Sequence, residues 1–215
     1  MLSALAGFGA GCGKDADRAL REVEALRERG DSASMERLAA LCGDASPDVR
    51  AFALAALADG ARERAAERIQ RALADPDVTV RSTAIKLAGD LKLERTGEEL
   101  GRMLVSDPSV GARRRAAVSL GAIGGGEAAA RLAPGLADAD PGVREATARA
   151  LAGVDAGPAV PALLRTLQLD PEPRVRFEAV RALATVKSDE ARAGIEGAAS
   201  DGNELVRMEA RSVVR

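Results

Sequence analysis

Asp170–Leu183 reads DPEPRVRFEAVRAL, and the chain from about residue 31 onward is built from variations on it. At its centre stands Val175-Arg176, with Ala179 three residues after the arginine and Leu183 seven after it. Near-copies are centred on Val49-Arg50, Val80-Arg81, Ala112-Arg113, Val143-Arg144 and Val206-Arg207, so the six arginines lie 31, 32, 31, 32 and 31 residues apart. A fixed period of this length marks a stack of repeated units rather than one centred core.

Columns counted from the arginine locate a helix in every unit. Ser46, Asp77, Ser109, Asp140, Glu172 and Asn203 stand four before it, and five of these six are good N-cap types. Pro47, Pro141 and Pro173 follow at the first helical position, where proline sacrifices no hydrogen bond. Positions three, four and seven after the arginine are almost all Ala, Leu, Ile or Val, which is one helical face. Gly60, Gly89, Gly121 and Gly153 are expected to stop these helices.

A first helix precedes each of them, over 35–41, 65–73, 98–104, 128–136, 160–169 and 191–199. Pro134 should kink or shorten the fourth. Residues 15–29 carry their own stripe of Ala19, Leu20, Val23 and Leu26, which predicts a helix closed by Gly30. The expected organisation is therefore an N-terminal segment at 1–13, a capping helix at 14–30 and repeats over 31–215.

Composition agrees with an all-α chain. Apolar residues make up 47% and aromatic ones 1%, so the core must be Ala, Leu and Val, and Ala and Leu favour helices. The formal net charge is −2, with mixed signs, whereas a nucleic-acid binder carries a basic stripe. Histidine is absent, which removes the commonest general base and metal ligand. Cys12 and Cys42 alone cannot make a zinc site. The reading is of a non-enzyme with no cofactor and no metal.

The string Asp–x–x–Pro–x–Val–Arg–x–x–Ala–x–x–x–Leu resembles the second half of a HEAT repeat, and the short period is similar to that of the compact repeats of phycobilin lyases. That resemblance implies a right-handed α-solenoid of about six two-helix repeats, with the second helices lining the concave side. It also implies another protein or peptide as partner, and a scaffold or assembly factor as the role. The alternatives it leaves are a phycobilin-lyase-like enzyme or chaperone, and a nucleic-acid-binding HEAT-like protein. Hydroxylases of the family use His-Glu metal motifs, which a histidine-free chain cannot supply. Leu2–Ala10 followed by Gly11-Cys12 resembles a bacterial lipoprotein signal, which implies a lipid on Cys12 and an envelope-anchored protein. Read instead as a plain Gly-rich terminus, it leaves a cytoplasmic protein that meets no membrane.

Two sets of charges stand out. Asp44, Asp75, Asp107, Asp138, Asp170 and Asp201 precede Arg50, Arg81, Arg113, Arg144, Arg176 and Arg207 by six residues. A pair that recurs in every unit is expected to be a structural ladder between repeats, because chemistry would need it once. The column five after the arginine varies, and Lys86, Arg149 and Arg181 in it, with Arg114 and Arg115, read either as an ordinary solvated face or as partner contacts on a mildly basic concave face that would take an acidic segment.

Overall fold

The computed structural model describes residues 9–214, with side chains from residue 15 onward. The N-terminal reading of residues 1–8, and the side chain of Cys12, lie outside what is described.

The chain forms two compact units, up to Leu87 and from Ala88. In the first, α1 (Gly9–Arg29) packs on α2 (Ser32–Leu41) and α3 (Pro47–Gly60), with α4 (Arg62–Ala72) against α2 and α3. α5 (Val78–Asp90) carries the chain through the division. In the second unit the first helices are α6 (Gly97–Ser106), α8 (Ala128–Leu132), α10 (Val160–Leu169) and α12 (Asp189–Ala198). The second helices are α7 (Val110–Ile123), α9 (Pro141–Leu151), α11 (Pro173–Ala184) and α13 (Glu204–Val214). Each first helix packs on its own second helix, and each layer packs in series, α7 on α9 on α11 on α13. This is an all-α repeat architecture, with no strand among the described residues.

The apolar columns fall inside. The residue before the arginine is buried in all six repeats, from Val49 to Val206, and so is the residue three after it, from Ala53 to Ala210. The polar member of that second column, Thr147, donates its hydroxyl to the Val143 carbonyl one turn back at 2.8 Å. Pro134 acts as expected: α8 is five residues long, and a 3₁₀ turn over Ala133–Ala137 replaces its continuation.

Two expectations need correction. Ser46 makes no capping bond, and neither does Glu172, the one poor N-cap type of the six, whereas Ser109 and Asp140 accept from the backbone N–H groups of Ala112 and Val143. Gly89 and Gly121 do not end their helices but lie within them. α5 closes further on, where Leu93 N–H donates to the Ala88 carbonyl and Lys92, at φ +47°, takes the left-handed position. The two glycines serve helix contact instead. A Cβ on Gly121 would stand 2.9 Å from the Ala150 Cβ, and one on Gly89 2.8 Å from the Ser119 hydroxyl oxygen.

This gives a paired test. Gly121→Ala should lose about 1–3 kcal/mol, because overpacking of α7 against α9 outweighs the helix-propensity gain. Gly197→Ala in α12 meets nothing within 4 Å and should gain about 0.5–1 kcal/mol. Urea midpoints of the two variants should move in opposite directions.

Candidate functional site

The recurring charges close the inter-helix turns. In all six repeats the aspartate accepts the backbone N–H two residues on, from Ser46 on Asp44 at 2.8 Å to Asn203 on Asp201 at 2.8 Å. The arginine six residues later donates Nη1 to that aspartate's own carbonyl, at 2.7–3.0 Å in every repeat. Its other edge reaches forward. Arg50 holds the Asp75 carboxylate with Nε at 2.9 Å and Nη2 at 2.8 Å, and Arg113–Asp138, Arg144–Asp170 and Arg176–Asp201 are built alike. The side chains of these pairs are 5–15% exposed. The bond from Arg113 holds the Asp138 carboxyl below its ordinary value, and Arg176 does the same for Asp201.

The varying residues occupy the outer face of the second helices. Lys86 on α5, Arg114 and Arg115 on α7, Arg149 on α9 and Arg181 on α11 are all exposed. Arg149 and Arg181 are brought together by a carboxylate on α11. Glu178 is 4% exposed, and its Oε1 accepts from Arg149 Nε at 2.9 Å while its Oε2 accepts from Arg181 Nη1 at 3.1 Å. Arg149 also donates Nη2 to Glu145 at 2.5 Å. The hydrogen bond from Glu178 raises the pKa of Arg149. The mildly basic column is thus partly neutralised, and its arginines are fixed in place.

Beside this cluster lies a groove of about 580 Å³. Arg149 of α9, Pro173, Arg174 and Phe177 of α11, and Leu205 of α13 line it with Glu178. Leu205 is 62% exposed. Its sequence signal was one phenylalanine beside the motif arginine; the groove itself depends on helix spacing, which a column count does not contain. A smaller groove of about 290 Å³ in the first unit holds Phe52 with Val23, Arg27 and Thr83.

Nothing among the described residues gathers three His, Cys, Asp or Glu side chains for a metal. Burial pushes the Cys42 thiol up to about 11, so at neutral pH it is protonated and a poor nucleophile. No described helix is long and apolar enough to cross a membrane.

The profile of HEAT repeats matches residues 34–121, 65–152 and 129–215. The chain belongs to the HEAT repeat family. Solved structures similar to this HEAT repeat chain include human deoxyhypusine hydroxylase in complex with glycerol, at 23% identity over 91% of this chain and 78% of that one, with a TM-score of 0.51. The CpcE–CpcF complex of phycocyanin lyase from Nostoc sp. matches at 23% identity, over 69% of this chain and 63% of that one, with a TM-score of 0.59. A designed armadillo repeat protein in complex with the peptide (KR)4 matches at 17% identity, over 92% and 97%, with a TM-score of 0.56. These likenesses establish the α-solenoid fold. No curated protein matches the sequence.

Two measurements probe the arginine–aspartate geometry. Arg144→Ala leaves the Asp170 carboxylate without its bidentate partner and should cost about 2–4 kcal/mol, well beyond an exposed pair, and Arg144→Lys should recover little, since an ammonium cannot copy the fork. Both are read from thermal and urea unfolding. The depressed carboxyls of Asp138 and Asp201 contribute stability that is complete above the ordinary 3.8 and lost as pH falls through their lower folded values. Urea midpoints should therefore drop on acidification below about pH 4, and Asp138→Asn should flatten that part of the curve.

Proposed function

We propose that this HEAT repeat chain is a non-catalytic binding protein, a scaffold or assembly factor, that holds another protein or peptide on the outer face of its second helices. The observation that carries the reading is the division of labour along those helices. Four columns of the motif go largely to burial and the arginine goes to the turns, which leaves the fifth position after the arginine exposed in five of the six repeats, with exposed residues beside it at Phe52, Arg114, Arg115 and Met208. The fifth position also differs from repeat to repeat, running Ala55, Lys86, Val118, Arg149, Arg181 and Ser212. A surface whose residues vary on a fixed frame is suited to recognising one partner along its length.

The peptide-bound designed armadillo protein and the two-chain CpcE–CpcF complex support a protein partner, as analogy of fold. Against an enzymatic reading stand the histidine-free sequence and the protonated Cys42. Against nucleic acid stands the formal net charge of −2 with mixed signs, since phosphate contacts carry most of such affinity.

Capture from the native cells tests the face. Arg114→Glu with Arg115→Glu should strip the partners that the full-length protein retains, while Arg165→Glu, on the exposed side of the first helix α10, should keep them. Equal capture by both variants would defeat the reading. Phycocyanobilin added to the protein should leave its visible absorbance unchanged, and a shifted band would favour the lyase alternative instead.

A further inference from the structure

We propose that the groove at Phe52, in the first unit, is a docking site for a cationic peptide segment, which lays one arginine side chain along the phenyl ring and sets its guanidinium against Asp48 and Glu24. This rests on the second-helix reading above and narrows it to one place and one chemistry.

Helices α1, α3 and α5 each contribute to the groove. Its floor is apolar and closed, since Val23 of α1 and Ala51 and Ala56 of α3 are 1–6% exposed. Phe52, in contrast, is 56% exposed. Its column holds Thr83, Arg115, Ala146, Glu178 and Glu209 in the other repeats, so stacking sets no requirement for an aromatic there. A phenyl ring left in water contributes little to folding, and covering it is favourable. The volume of about 290 Å³ is at the lower end of ligand clefts, so the groove suits one long side chain rather than a whole helix.

The charges of the lining decide the guest. They are Glu24 and Arg27 of α1 and Asp48 of α3, while α5 contributes the neutral Thr79 and Thr83. Arg27 is bound to Asp59 at 2.6 Å, and the two charges of that pair cancel. Glu24 and Asp48 are exposed and form no ion pair or side-chain hydrogen bond among the described residues, so two carboxylates are left over. Lys86, one turn beyond Thr83 on α5, lies outside the lining. The helix dipole would by itself accommodate Asp48 in the first turn of α3, but it does not explain an exposed ring one turn further on. Asp48 and Phe52 are four residues apart and share a face of α3, so a cation resting on the ring has a carboxylate beside it. A guanidinium suits both at once, because its plane stacks on an aromatic face and its edge forks onto a carboxylate. An acidic guest would meet two unneutralised carboxylates and no cation that is not already paired.

The test follows the backbone amide resonances of the full-length, nitrogen-15-labelled protein at low salt. The probe is an acetylated, amidated heptapeptide with one central arginine among uncharged residues. It should shift the amides of Ala55 and Thr83 saturably, and the same peptide with glutamate in place of the arginine should not. Glu24→Gln combined with Asp48→Asn, and separately Phe52→Ala, should each weaken binding about fivefold or more. These side chains lie outside the core, so thermal midpoints close to that of the parent protein show that the fold is intact. No saturable shift, equal binding of the glutamate peptide, or full affinity in either variant would overturn the proposal. Should the peptide fail to bind while Arg114→Glu with Arg115→Glu still strips the native partners, the wider second-helix reading stands without this site.

Discussion

The hydrogen bonds of Arg113, Arg144 and Arg176 are what the register of the second unit depends on. Nη1 of each turns back to the carbonyl of its own inter-helix turn, and Nε with Nη2 grips the aspartate of the next turn. That aspartate simultaneously accepts the N–H two residues on, so each turn is held by a residue inside it and an arginine outside it. Taking two charges out of water is costly, and the pair is tolerable because almost every polar atom around it is satisfied. Removing one partner is therefore far worse than never having had the pair. This is why the motif keeps aspartate and arginine at a separation of six residues in every repeat.

With the turns fixed, packing is left to small side chains. A core almost without aromatics cannot fill wide gaps, so the helices must come close. Gly121 on α7 against Ala150 on α9, and Gly89 on α5 against Ser119 on α7, are the contact points where even a methyl group would be too much. The leucines behind them, Leu104, Leu120, Leu132, Leu151 and Leu163, are almost or wholly excluded from water. Dispersion and burial reward this closeness at every repeat in the same way, and the array needs no common centre.

The fold was legible because its signals are local and repeated. Six copies of Val-Arg, followed at helical spacing by an aliphatic stripe, fix helix, face and period together, and Pro134 announces the break it causes. What escaped reading depends on distances between helices. Gly89 and Gly121 look like helix stops because a glycine near a helix end usually is one; only the proximity of Ser119 and Ala150 shows that they are spacers. Glu178 looks like a surface charge that offsets its neighbours, because nothing in the sequence says that α9 and α11 approach closely enough to cover it.

Glu178 is the point where structure and function part. It stands in a column that is Phe52, Thr83, Arg115, Ala146 and Glu209 in the other repeats, so the architecture sets no requirement for a carboxylate there. A buried carboxylate is expensive, and an alanine, as at Ala146, would fill the place without that cost. What it contributes is the position of two guanidinium groups, one of them held also by Glu145, at the edge of a groove walled by a phenylalanine and an exposed leucine. The aspartate–arginine pairs of the turns repeat because every repeat must be stacked. Phe177 does not repeat, and of the two glutamates in its neighbouring column only Glu178 is buried; a departure from the pattern that works against stability is the kind expected where a chain has been shaped to hold something.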